Sequence, residues 1–168
     1  RKSKMEEFII PFKGLDTGNH RFEFKVGNAF FERYTFFETE KGKLDVTLNL
    51  EKEAALMVFH FSIKGLISLA CDRCLAEFDF PLDGNFDLIV KFGEEYVEES
   101  DDVIVIPNTE SRIDVSQYIF EYINLLLPIK RVHPSKDQCD PEVIKKLDKY
   151  SKNDSDPRWD ALKNIKLK

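Results

Sequence analysis

The chain has no apolar run approaching the roughly 20 residues that cross a bilayer as a helix, so no membrane span and no membrane partner is expected. Its opening stretch, RKSKMEEFII, carries basic residues with no apolar segment behind them, which gives no reason to expect a secretory signal. Cysteine is scarce: three residues, an odd number, poor material for a disulfide framework. Together these point to a reducing cytoplasm. Also missing are a Walker loop, GxGxxG, HExxH and GxSxG, the short motifs that announce nucleotide, zinc-protease or esterase chemistry. His20, His60 and His133 stand apart, and the carboxylate pairs Glu94-Glu95 and Asp101-Asp102 lie in a polar stretch without apolar neighbours to raise a pKa. We therefore expect no enzyme and no small-molecule substrate. RNA-recognition signatures of the RNP or KH type are absent too.

What the chain does have is the material of one domain with a core: 42% hydrophobic and 33% charged residues over 168 positions. Fifteen phenylalanines against two methionines lean that core toward aromatic packing and β structure. Charge is unevenly spread. Residues 1–127 hold 14 Lys+Arg against 24 Asp+Glu, whereas residues 128–168 hold 11 against 7. An acidic body with a basic tail is unlike a general DNA binder, which clusters cations on one surface. It leaves two readings of the tail, a local basic patch or a solvated mixed-charge segment.

The first half reads as strands. EFIIPF, HRFEFKV, KLDVTLNL, ALMVFHFSIKG and EFDFPLDGNFDLIVKF alternate apolar and polar residues or carry aromatic runs, with glycines between them. Leu44, Val46, Leu48 and Leu50 share one face of such a strand. Asp83-Gly84 has the form of a hairpin turn, GEEYVEESDD reads as a solvated acidic loop, and NAFFERYTFFE is ambiguous between strand and short helix. A helix is expected over 114–127, with Asp114 as N-cap, Gln117 completing a capping box and Pro128 ending it. Val115, Ile119, Tyr122, Ile123 and Leu126 would form its core-facing stripe. Asp140-Pro141 opens a second short helix, and DPRWDALKNIK repeats that opening, with Trp159, Leu162 and Ile165 on one face. The expected class is α+β: an antiparallel sheet or open barrel over residues 1–128 with the helix 114–127, then a basic, partly helical tail over 129–168.

Cys71-Asp72-Arg73-Cys74 is the motif with most chemistry. A redox CxxC needs its first thiol at a helix N-terminus, yet LAEFDFPL follows with strand alternation and a proline. A CxxC at a turn between strands instead supplies half of a tetrahedral thiolate site. His133 and Cys139, in VHPSKDQCDP, are the candidates for the other half, giving a closed Cys3His structural zinc site. Leu75 stands where CxxC turns usually carry glycine. The alternative is that Cys71 and Cys74 are packed thiols and Cys139 a surface one.

Cys71-x-x-Cys74-Leu75 with Phe78 and Pro81, the stretch YIFEYINLLLPIKRVH, Cys139 and the closing DPRWDALKNIK together resemble the YceD-like family of large ribosomal RNA subunit accumulation proteins, over about residues 8–166. The resemblance implies a cytoplasmic, non-enzymatic bacterial protein of ribosome biogenesis. It maps the family CxxC onto Cys71 and Cys74, a helix-proline segment onto 114–128 and a cysteine region onto 133–139, where this chain keeps only Cys139 and His133 would replace a missing thiolate. The implied partners are large-subunit ribosomal RNA or a pre-ribosomal particle, or a ribosomal or assembly protein. Lys130, Arg131 and Lys136, with Arg73 of the CxxC turn, are the candidate phosphate contacts. The alternative is a protein-interaction adaptor without direct RNA contact, whose Trp159, Leu162 and Ile165 enter a partner groove.

Overall fold

Apolar residues at every second position, in runs too long for turns, build most of the structure. The computed structural model describes residues 6–34 and 41–151. The strands are β1 (Ile9–Ile10), β2 (Gly18–Val26), β3 (Gly42–Lys52), β4 (Leu56–Ala70), β5 (Glu77–Gly93), β6 (Val97–Ser100), β7 (Val103–Pro107) and β8 (Ile113–Asp114). The helices are α1 (Asn28–Phe31), α2 (Ser116–Leu126) and α3 (Pro141–Tyr150). The chain divides into two units: Arg1–Leu69 with Asp79–Ile129, and Ala70–Phe78 with Lys130–Lys168.

The first unit is a sheet body. Six strands form an open sheet in the order β2-β3-β4-β5-β7-β6, and β1 pairs with β8 in a two-stranded sheet. β2, β3 and β4 pair antiparallel, with Leu48 opposite both Phe22 and Phe61. Leu44, Val46, Leu48 and Leu50 of β3 are fully buried, as their alternation predicts, beside Met57, Phe59, Phe61 and Ile63 of β4. Each such side chain contributes about 1.5–3 kcal/mol by leaving water. Aromatic contacts extend this core: Phe8 stacks on Phe24 at 5.3 Å, and Tyr122 of α2 meets Phe61 edge-on at 5.2 Å. The α+β class holds. The sheet, however, is open and mixed, because β5 and β7 run parallel.

Three local expectations are corrected. GEEYVEESDD is not a loop throughout, since Val97–Ser100 forms the edge strand β6 against β7. All four of its residues are exposed, so it carries none of the alternation that marks a half-buried strand. Asp83-Gly84 is not a turn but lies within β5. Glycine suits the position for a different reason: a Cβ on Gly84 would have to displace the Leu126 side chain of α2. Finally, α2 starts later than Asp114. That residue is held in β8 opposite Ile9, so Val115 takes the N-cap position. Asp114 Oδ1 still accepts from Ser116 N–H at 2.9 Å, while Gln117 donates to Glu121 rather than closing a capping box. Val115, Ile119, Tyr122 and Ile123 are buried as the stripe requires, and the helix ends at Leu127, whose extended backbone precedes Pro128. NAFFERYTFFE resolves in its first part into the single helical turn α1.

The second unit contains the CxxC turn, a short 3-10 turn at Lys136–Gln138, and α3. Asp140 caps α3 by accepting from Glu142 N–H at 2.8 Å, with Pro141 in the first turn, as the Asp-Pro pair predicts.

The two accounts of Gly84 are separated by Gly84→Asn. A hairpin turn would accept asparagine, whereas a strand beneath Leu126 should lose about 1–3 kcal/mol through overpacking. Urea unfolding of the variant measures this, and an unchanged midpoint would contradict the packing account.

Candidate metal centre

A tight turn aims two sulfurs the same way. After β4 the chain reverses through Cys71–Ala76, where Leu75 N–H donates to Cys71 O at 2.7 Å and Cys71 N–H donates to Ala76 O at 2.9 Å. Closing this turn puts Leu75 at φ 63°, in the left-handed region that a side chain disfavours. That is the position at which glycine would be free of strain.

The remaining donors come from residues 130–139. Asp72 clasps Arg131 twice: its N–H donates to Arg131 O at 2.6 Å, and its Oδ2 accepts from Arg131 N–H at 2.7 Å. This delivers His133 two residues later. Ser135 Oγ then caps the 3-10 turn by accepting from Asp137 N–H, and Cys139 N–H donates to Lys136 O at 3.1 Å, which turns Cys139 back toward His133.

The four donor atoms of Cys71, Cys74, His133 and Cys139 all lie within 4.8 Å of one another, and all four residues are buried. Cys71 Sγ to Cys139 Sγ is 4.0 Å, Cys74 Sγ to His133 Nδ1 is 3.6 Å, and Cys139 Sγ to His133 Nδ1 is 3.5 Å. A tetrahedral centre with metal–sulfur bonds near 2.3 Å and metal–nitrogen bonds near 2.0 Å requires S···S of about 3.8 Å and S···N of about 3.6 Å. The observed separations match that geometry, so the residues fit a metal ion. Cysteines merely packed together would have no need of the imidazole nitrogen in their midst.

The surroundings favour the thiolate at Cys71 and the thiol at Cys139. Burial pushes the Cys71 thiol up, but the backbone N–H groups of His133, Cys74 and Arg73 outweigh it and bring its pKa down to about 6. Burial and the neighbouring sulfurs hold the Cys139 thiol above its ordinary value. Arg73 Nη1 donates to Cys139 Sγ at 3.6 Å, a cation placed to balance the sulfur charge. Phe78 lies 4.8 Å from the His133 ring, and Val132, Val143 and Ile144 close the cluster on its apolar sides. Four protein donors complete a tetrahedral shell and leave no position for a substrate.

The four side chains brought together are the ones the sequence pointed to. Of the phosphate-contact candidates, Lys130 and Lys136 are exposed and Arg131 is partly so. Arg73 is partly buried, with its guanidinium on the Cys139 sulfur. Trp159, Leu162 and Ile165 lie outside the described residues. Sequence reasoning missed the Asp72 clasp. An aspartate inside a CxxC turn was its only trace, and its partners are backbone groups that carry no sequence signal.

A family model described as "Large ribosomal RNA subunit accumulation protein YceD" matches residues 59–166, well over half of the chain and including all four donors. No curated protein matches the chain, and neither does any solved structure.

Because Leu75 is 78% exposed yet held at φ 63°, replacing it costs no burial and removes strain. Leu75→Gly is expected to tighten metal binding by about 1 kcal/mol, close to fivefold. A competition titration against a chromogenic chelator reads the change, and weaker or equal binding would contradict the turn geometry.

Proposed function

The chain belongs to the YceD family, and from that membership we propose that it is a non-enzymatic factor supporting accumulation of large-subunit ribosomal RNA, with a structural zinc ion at Cys71, Cys74, His133 and Cys139. The observation that carries the zinc reading is the burial pattern of the second unit. Among its described residues only these four are buried, and α3 buries none of its own. Described residues that bury so little apolar surface gain most from a cross-link or a metal. Zinc suits three thiolates and an imidazole in a tetrahedron, and its binding energy would be the folding energy of this unit.

The same frame supports the RNA reading. Val143 and Ile144 of α3 pack toward the donor cluster, while Lys145, Lys146 and Lys149 are exposed on that helix and Lys130 and Lys136 on the segment before it. Cations on a rigid frame lose less side-chain and backbone freedom when they meet phosphates than cations on a loose tail. Each phosphate neutralised would also make affinity salt-dependent. Docking on a pre-ribosomal particle through this unit is the function these residues serve best.

Sedimentation of native lysate tests it. The protein should travel with large-subunit precursors and return to the top of the gradient after ribonuclease. Lys130→Glu with Lys136→Glu should keep the metal yet weaken that association, most at low salt, and flatten its dependence on salt. A protein that stays at the top of the gradient in gentle salt, or a double variant that sediments like the parent, would sink the proposal.

A further inference from the structure

The first unit carries a groove that the metal centre and the basic segment do not use. It is a cavity of about 850 Å³ between the β6–β7 edge of the sheet and α2. Five carboxylates line it, those of Glu98, Asp101, Asp102, Asp114 and Glu121, and no lysine or arginine does. None of the five has an ion-pair partner among the described residues. Three make hydrogen bonds only to neutral groups: Glu98 with Tyr96 Oη, Asp114 with Ser116 N–H and Glu121 with Gln117.

The groove is aromatic as well as acidic. Phe86 lies flat on Tyr122, with ring centroids 4.4 Å apart and planes 3° from parallel. Tyr96 and Tyr118 touch through their hydroxyls at 3.4 Å, and the 71%-exposed Leu125 adds aliphatic surface. Tyr122 supplies an independent pointer to a ligand. It is only 4% exposed, its ring is held by Phe86 and Phe61, and its hydroxyl has no hydrogen-bond partner among the described residues. Burial and the nearby Asp102 and Glu121 push its pKa up to about 12, so at neutral pH it is a hydroxyl able to donate. An unpartnered buried hydroxyl weakens the free protein unless a ligand satisfies it.

We propose that this groove binds a lysine- and arginine-rich segment of a partner protein in extended form. Its cationic ends would reach the five carboxylates, its aliphatic stems would lie on Phe86, Tyr118 and Leu125, and a backbone carbonyl would accept from Tyr122. Charge complementarity selects this occupant. The five carboxylates repel a nucleic acid backbone, and an apolar peptide would leave them desolvated and unpaired. The site is independent of the metal centre and of RNA binding.

The test uses the full chain and a short fluorescein-labelled peptide of alternating arginine and alanine, read by anisotropy at moderate salt with and without chelator. Binding should be saturable and unchanged by chelator. Glu98→Gln/Asp101→Asn/Asp102→Asn should weaken it about tenfold or more, whereas Glu23→Gln/Asp45→Asn/Glu51→Gln, with the same change in net charge on β2 and β3, should leave it within about twofold. Tyr122→Phe should reduce affinity several-fold without lowering the melting temperature. Equal weakening by the two triple variants would assign binding to the whole-molecule field and overturn the proposal. So would absence of saturable binding, or a Tyr122→Phe variant that melts earlier and binds as before.

Discussion

Among the described residues of the second unit, four side chains that fit a metal ion hold the place of a hydrophobic core. Elsewhere the protein follows the usual balance: Leu48, Leu50, Met57, Phe59 and Ile63 leave water completely, and that burial offsets the entropy of ordering the sheet. In the second unit the described residues offer only Cys71, Cys74, His133 and Cys139 as buried groups, with Phe78, Val132, Val143 and Ile144 half-covered around them. The apolar surface of these described residues is small for ordering a helix, a 3-10 turn and a CxxC turn. Tetrahedral coordination can, because a single ion fixes four points of the chain at once.

Dependence on coordination would account for local features that are otherwise costly. Leu75 tolerates a left-handed backbone because the turn it closes sets the spacing of two sulfurs. Asp72 spends its carboxylate and its amide on Arg131, which fixes the entry of the segment carrying His133. Arg73 turns its guanidinium to the Cys139 sulfur. The chemistry of the two units also differs in sign. Exposed cations sit on the frame around the sulfurs, and unpaired carboxylates with aromatic rings line the groove of the sheet body. A protein that met both a polyanion and a polycation would need both.

Legibility in the sequence followed the range of the physics involved. Period-two burial in KLDVTLNL and the Asp140-Pro141 cap are local rules, and both were readable. The donor set was readable because cysteine and histidine are scarce, so few combinations existed. β6 was not, since an edge strand exposed on both faces has no alternation to show. Gly84 mimicked a turn because the steric demand of Leu126, 42 positions later, leaves no local mark. Asp114 offered a good cap, but pairing with Ile9 claimed its backbone first. Asp101 and Asp102 read as solvent-facing for the same reason: the aromatic wall beside them comes from β5 and α2.

Amide hydrogen exchange on the full chain, with zinc and after its removal, tests the dependence of the second unit on coordination most directly. The account predicts that residues 71–76 and helix α3 lose their protection without metal, while β3 and β4 keep theirs. Protection of α3 that survives metal removal would show that the second unit holds itself together without coordination, and would contradict the account.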